Sequence, residues 1–282
     1  MMSSFLIDPS EMKQFLVRPR LDDQEGVMFA YAAPAEVLAK LLPPPLKLVA
    51  PMVCGYVVQM GKPSFGGPYL ESVLYVLANY RDKVVGAYPF NLMLHGPGAE
   101  TGIISGREGA GIPKKMADHM EIRRNDQQAT AIVERHGVRL LEVTWTAGTP
   151  NDPQTAQQVF SQLKLNSQVE QASLFYKYQM DQAADGTNVF HDAALVSTQQ
   201  SVITDRLEPG SLRIKVASSE DDPYGELKVI KPLGAAWYHV ASSVMHNTIK
   251  LEDADAGKIM PYLVSGRYDR GIINPNVTTF II

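Results

Sequence analysis

Cysteine is almost missing from this chain. Cys54 is the one thiol in 282 residues, which excludes an internal disulfide and any zinc site built on paired cysteines. It lies in the apolar run Val53-Cys54-Gly55-Tyr56-Val57-Val58 and reads as a small buried hydrophobe. Long apolar runs are missing too. No stretch approaches the roughly 18 apolar residues of a membrane span, and Met1-Met2-Ser3-Ser4-Phe5-Leu6 lacks the basic-then-apolar pattern of a signal peptide. The expectation is a cytoplasmic protein without a membrane partner. Charge of one sign is not concentrated either: 26 Lys and Arg face 30 Asp and Glu, a formal net charge of -4. The densest basic points, Lys114-Lys115 and Arg123-Arg124, are too short for a nucleic-acid-binding stripe, so no nucleic-acid partner is expected.

Several reaction signatures are absent. His95, His119, His136, His191, His239 and His246 show no HxxxH or HxH spacing, and none pairs with a carboxylate at a metal-ligand interval. There is no GxSxG elbow and no GxxxxGK[ST] phosphate loop. No metal site is expected from these spacings.

What the chain has is a composition of 45% hydrophobic and 20% charged residues, that of an ordinary globular protein, and many strand-like segments. Val27–Tyr31 reads as a strand, Pro34 opens a helix that runs through Leu42, and Pro43-Pro44-Pro45 stops it. Strands rich in Val, Tyr, Leu and Phe are expected at 47–60, 70–80 and 83–94. Residues 128–135 and 138–146 form a hairpin about His136-Gly137; residues 193–204 and 211–218 form another about Glu208-Pro209-Gly210, where proline fixes φ and glycine tolerates a positive φ. The stretch 148–157 reads as a loop or helix start, and helical spacing returns at 253–263. Strands joined by short turns, without βαβ alternation, predict a β-dominated α+β fold: a largely antiparallel sheet or barrel with peripheral helices. The expectation is a single domain over 1–282 with its core at about 25–262, followed by an apolar tail packed on the body or on a neighbouring subunit.

The most informative stretch is Gly106-Arg107-Glu108-Gly109-Ala110-Gly111-Ile112-Pro113-Lys114-Lys115-Met116-Ala117. An amine is nucleophilic only when neutral, and free lysine, with a pKa of about 10.4, is almost wholly protonated at neutral pH. Apolar burial and a neighbouring cation each disfavour the ammonium form. The surroundings of Lys114 and Lys115 offer both, although a lysine pair is more often two solvated side chains.

The segment Gly-Arg-Glu followed by Pro-Lys-Lys-Met-Ala resembles the active-site segment of acetoacetate decarboxylases. Tyr31, the proline-rich 38–48 region and Tyr69-Leu70-Glu71-Ser72 fall in that family's order, and the similarity spans about 25–262, strongest at 106–117 and thin after 150. The resemblance implies that Lys114 forms a Schiff base with a small oxo acid. It further implies that Lys115 lowers the pKa of Lys114 or places it, and that Glu71 is an acid/base or orienting carboxylate. It implies a barrel or cone-shaped sheet, a buried lysine pocket, a homo-oligomer, and no metal or organic cofactor, since the lysine imine is itself the electron sink. Arg107 belongs to the motif, as a substrate contact or as part of the loop that presents Lys114. Ile112 is the apolar residue before Pro-Lys-Lys, and Tyr238 offers a further phenol.

Two departures bear on the reaction. Decarboxylating members carry an arginine where this chain has Gln24, and a second glutamate where it has Tyr56. An amide supplies no charge to hold a carboxylate. Three functions follow: decarboxylation of acetoacetate or a related β-keto acid, aldol condensation and dehydration of pyruvate-like oxo acids with aldehydes, or a non-catalytic binder on the same scaffold.

Overall fold

The structure is a computed structural model and describes residues 5–270. The apolar C-terminal residues 271–282, and the packing expected of them, lie outside the described residues. After a short helix α1 (Met12–Phe15), the chain lays down β1 (Leu21–Ala32), helix α2 (Ala35–Lys40), β2 (Leu46–Leu48), β3 (Met52–Pro63), β4 (Tyr69–Tyr80) and β5 (Val84–His95). Helix α3 (Ala99–Ile104) runs into a π-helical turn (Ser105–Ala110), followed by β6 (Lys114–Met116), β7 (His119–Arg124), β8 (Gln128–Arg135) and β9 (Val138–Ala147). Helix α4 (Pro153–Phe160), the long strands β10 (Gln168–Gln182), β11 (Asn188–Val216) and β12 (Lys231–Asp253), and helix α5 (Ala256–Leu263) complete it.

The strands join in the order β10-β5-β4-β3-β1-β12-β11-β9-β8-β7. Pairing also returns on itself, because β10 is antiparallel to β11 and meets β5 in parallel at Ser173–Ala87. Strands β5, β4, β3, β1, β12, β11 and β10 thereby form a ring. The β-dominated, largely antiparallel architecture with peripheral helices is the one expected. No helix among the described residues is long and apolar enough to cross a membrane.

Both faces of the sheet are buried, and side-chain alternation sorts residues between them. One face carries Val58, Met60, Val73, Leu92, Leu94, Phe175 and Val240. The other carries Val27, Phe29, Val57, Leu74, Met93, Trp145 and Trp237, the larger core, which also receives Leu38 of α2 and Ile259 of α5.

Most sequence-derived elements are present with shifted ends. The expected strand 47–60 is two strands, broken at Ala50-Pro51. The helix after Pro34 starts one residue later, with Pro34 as its N-cap, and α5 starts at Ala256 behind Asp255, whose side chain accepts the Lys258 N–H. His136 and Gly137 both take positive φ, 51° and 73°, the geometry of a tight β8–β9 hairpin. The 148–157 stretch is a loop as far as Asp152, tied back by Asn151, which contacts the Leu212 backbone through both its amide nitrogen and its oxygen; its second half is the start of α4 behind the Asp152 cap.

The second expected hairpin does not exist. Strand β11 runs unbroken through Glu208-Pro209-Gly210, with Pro209 opposite Ala236 and Gly210 opposite both Ala235 and Ala147. Glycine is needed there for close approach: a Cβ would sit 2.2 Å from the Thr146 carbonyl oxygen and 2.5 Å from Trp145 Nε1. The turn residues are present, but here glycine admits the close approach of β9 instead.

Candidate active site

Register places the chemistry. In the parallel β5–β6 ladder, Leu92 is opposite Lys114 and Met93 is opposite Lys115. Partners across a ladder share a face, so Lys114 joins the Leu92 face and Lys115 the Met93 face. Glu71 is opposite Val58 and Leu94, and Tyr56 is opposite Met28 and Val73. These residues share the Leu92 face.

Lys114 and Glu71 are buried, at 4% and 2% exposure, and are ion-paired, with Nζ donating to Oε2 at 3.1 Å. The Tyr56 hydroxyl donates to Oε1 of the same carboxylate at 2.7 Å. Each oxygen of Glu71 therefore has its own donor, and the carboxylate plane is fixed. Burial, followed by the Glu71 charge, pushes the Tyr56 phenol well above its ordinary value. Tyr69 and Tyr238 are raised by the same two causes, so all three phenols hold their protons more tightly than a free phenol. The Lys114 ammonium lies over the Tyr69 ring, 6.0 Å from its centroid. The Tyr69 hydroxyl is buried without a hydrogen-bond partner among the described residues. Ile112, Tyr69 and Tyr238 complete the apolar wall on this face.

Gln24 lies on the same face, opposite Met60 and Val240, but its amide donates to the Leu21 carbonyl at 2.6 Å and touches neither Lys114 nor Glu71. Arg107 is not in the pocket: its guanidinium stacks 5.1 Å from the Tyr268 ring centroid, and its carbonyl accepts the Gly111 N–H. Its backbone contact lies within the loop that leads to β6.

Lys115 departs most from expectation. Its ammonium donates to Asp222 Oδ1 at 2.8 Å and to the Asp221 carbonyl at 3.0 Å, and it lies 3.3 Å from Asp269. Arg135 bridges Asp222 and Asp269, each at 2.8 Å. Lys115 thus lies on the opposite side of the strand from Lys114, among carboxylates. Asp222, Asp269 and Arg135 went unnoticed in the sequence because their partners are distant along the chain. Tyr69 was within reach, since it shares the parity of Glu71 two residues on.

The described cation inventory is short. The buried cations are Lys114, Lys115, Arg135 and Arg267. Arg267 points to the Gly111 and Tyr176 carbonyls and stacks on Tyr178. Lys114 alone stands beside Glu71. The arrangement supplies an amine nucleophile, one carboxylate able to carry a proton, and neutral phenolic donors in an apolar setting.

A family model described as acetoacetate decarboxylase matches residues 5–252. The chain is 57% identical over 281 residues, a coverage of 100% of each chain, to a protein of Lactiplantibacillus plantarum named "CLA biosynthesis isomerase". Among solved structures, it is similar to an acetoacetate decarboxylase from Legionella pneumophila, with a TM-score of 0.72 at 18% identity, covering 89% of this chain and 99% of that one. It is also similar to the enduracididine biosynthesis enzyme MppR complexed with the condensation product of pyruvate and imidazole 4-carboxaldehyde, with a TM-score of 0.65 at 13% identity, covering 89% and 97%. At these identities the solved structures establish a shared fold.

Proposed function

The chain belongs to the acetoacetate decarboxylase family, and from that premise we propose that it is a Schiff-base isomerase that moves a carbon–carbon double bond into conjugation with a ketone. The observation that carries this reading is the Glu71 carboxylate, held at one oxygen by Lys114 and at the other by Tyr56, with no second carboxylate at position 56 and the other buried cations engaged elsewhere. Decarboxylation needs a substrate carboxylate beside the reacting carbon. An uncharged Gln24, its amide committed to Leu21, leaves that carboxylate without a counter-charge. The apolar wall of Val58, Met60, Leu92, Leu94 and Phe175 suits hydrocarbon on either side of the ketone. The name of the relative, an isomerase, points the same way.

The chemistry balances with the groups present. Lys114 passes a proton to Glu71, and its freed lone pair attacks the ketone carbon. That proton and a second one from nitrogen leave with the ketone oxygen as water, giving a protonated imine. Glu71 then removes a proton from the carbon between the imine and the double bond, and the electron pair moves into a dienamine. Return of that proton to the far end of the dienamine places the double bond in conjugation. Hydrolysis releases the enone and restores Lys114. One carboxylate suffices, because the same proton is taken and given back.

The test is incubation with a β,γ-unsaturated ketone. The expected result is a conjugated enone seen by its ultraviolet absorbance, together with a borohydride-reduced adduct on Lys114 by mass spectrometry. Absence of any adduct on Lys114 would falsify the Schiff-base premise. The family match favours a second reading through the same lysine: decarboxylation of a β-keto acid, or aldol condensation and dehydration. Carbon dioxide released from acetoacetate, or an unsaturated oxo acid formed from pyruvate and an aldehyde, would establish it in place of isomerisation.

A further inference from the structure

Gly102 and Gly106 lie four residues apart on the continuous α3 and π-turn segment, hence on one face of it. That face meets the reactive lysine. A Cβ on Gly102 would come within 2.9 Å of Leu94 Cδ2 and 3.3 Å of the Tyr69 ring, and a Cβ on Gly106 within 2.8 Å of Lys114 Cε and 3.2 Å of Lys114 Nζ. Gly106 also accepts the Ile112 N–H through its carbonyl at 3.1 Å, which ties the turn to the residues leading into β6.

We propose that Gly106 is a positioning residue for Lys114: its missing side chain provides the space in which Nζ meets Glu71 and takes on the substrate carbon. The inference rests on the Schiff-base reading for its consequence but on geometry for its premise. The backbone does not explain this glycine. Gly96 and Gly111, at the two ends of the segment, have φ of 106° and 79° and require glycine for conformation, whereas Gly106 has no such φ. The close neighbour of its missing Cβ is the Lys114 side chain itself. A π turn in mid-segment, a frequent feature of functional sites, brings that bare position over the amine.

Three alanine variants separate the roles. Gly109 has nothing within 4 Å of its missing Cβ, so Gly109→Ala leaves both melting and borohydride trapping as in the wild type. Gly98→Ala would place Cβ 1.8 Å from the Gly67 carbonyl oxygen, a backbone clash, so it lowers the melting temperature. Gly106→Ala is accommodated by a flexible lysine tip. It melts close to the wild type, while trapping of a ketone at Lys114 slows about a hundredfold, the scale of a reacting group misplaced by an ångström. Trapping at the wild-type rate in a folded Gly106→Ala protein would overturn the proposal.

A double-mutant cycle covers the case in which Gly106→Ala does destabilise. In a Lys114→Ala background that cost disappears, because the group it strikes is gone. An equal cost in both backgrounds would make Gly106 a requirement of the fold and sink the assignment. If the wild type itself is never trapped, the Schiff-base reading fails alone, and the cycle still decides whether Gly106 is coupled to Lys114.

Discussion

Lys114 and Lys115 are consecutive residues that lie in separate surroundings. Lys114 shares a face with Leu92 and pairs with Glu71; Lys115 shares the opposite face with Met93 and pairs with Asp222 and Asp269. Alternation along β6 turns a sequence doublet into two unrelated sites. Lys115 is accordingly an anchor. Lys115→Met leaves Asp222, 1% exposed, with Arg135 as its remaining cation, and the expected loss of stability is about 3–5 kcal/mol, read from urea unfolding. Trapping at Lys114 persists in the folded fraction. A stable Lys115→Met protein that no longer forms the adduct would instead restore Lys115 as an electrostatic partner.

Glu71 and Tyr56 are coupled through one hydrogen bond, and their substitutions are graded. On the proposed isomerase reading Glu71→Gln removes the proton carrier, and turnover is expected to fall about 10²–10⁴-fold. Tyr56→Phe keeps the carboxylate but releases Oε1, at a cost of about 1.5–3 kcal/mol for a bond to a charged group. Its turnover therefore falls less than that of Glu71→Gln. Steady-state kinetics on both variants checks the order; a reversed order would make Tyr56, not Glu71, the proton carrier.

The chemistry of this site was legible where neighbours in sequence carry it. The Pro113-Lys114-Lys115 segment and Tyr69-Leu70-Glu71 marked the lysine and the carboxylate, and His136-Gly137 marked a hairpin whose two residues do take positive φ. What stayed hidden depends on register. Period-two alternation says that Lys114 and Lys115 diverge, but only the β5–β6 pairing says which of them meets Glu71. Asp222 is 107 positions from Lys115 and 87 from Arg135, so no local pattern announces that network. Glu208-Pro209-Gly210 misled for the converse reason. Proline and glycine fit a turn, yet here glycine admits the neighbouring backbone of β9. Gly106 was visible as a letter of a motif, but its neighbour across space was not.

Cys54 supports a test of burial. Its thiol is pushed up to about 12, chiefly by burial, and the reactive form of cysteine is the thiolate. Iodoacetamide at mildly alkaline pH is expected to leave the folded protein unlabelled and to modify Cys54 only as urea unfolds it. Rapid labelling of the native protein would show that this part of the sheet opens locally.

His239 sits beside Tyr238 in β12 but faces the other way. Its Nδ1 pairs with Asp205 at 2.6 Å and its Nε2 with Asp23 at 3.0 Å, joining β11, β12 and β1. Burial alone lowers the imidazole pKa; the hydrogen bonds the ring donates to Asp23 and then to Asp205 outweigh it, and the net direction is upward. A folded-state pKa above the unfolded one means that the folded state holds the proton more tightly. The contribution to stability is therefore complete below the unfolded value of about 6.5 and is lost as pH rises through the higher folded value. His239→Gln keeps a hydrogen-bonding side chain without the titration, so its melting temperature should vary less with pH above 6.5 than that of the wild type. Asp23, lowered by the same imidazole and by Lys62, acts in a separate window: its contribution fades as pH falls through its depressed folded value. Parallel melting curves of the wild type and His239→Gln across the neutral range would show that the Asp–His–Asp clamp contributes nothing to the coupling of stability to pH.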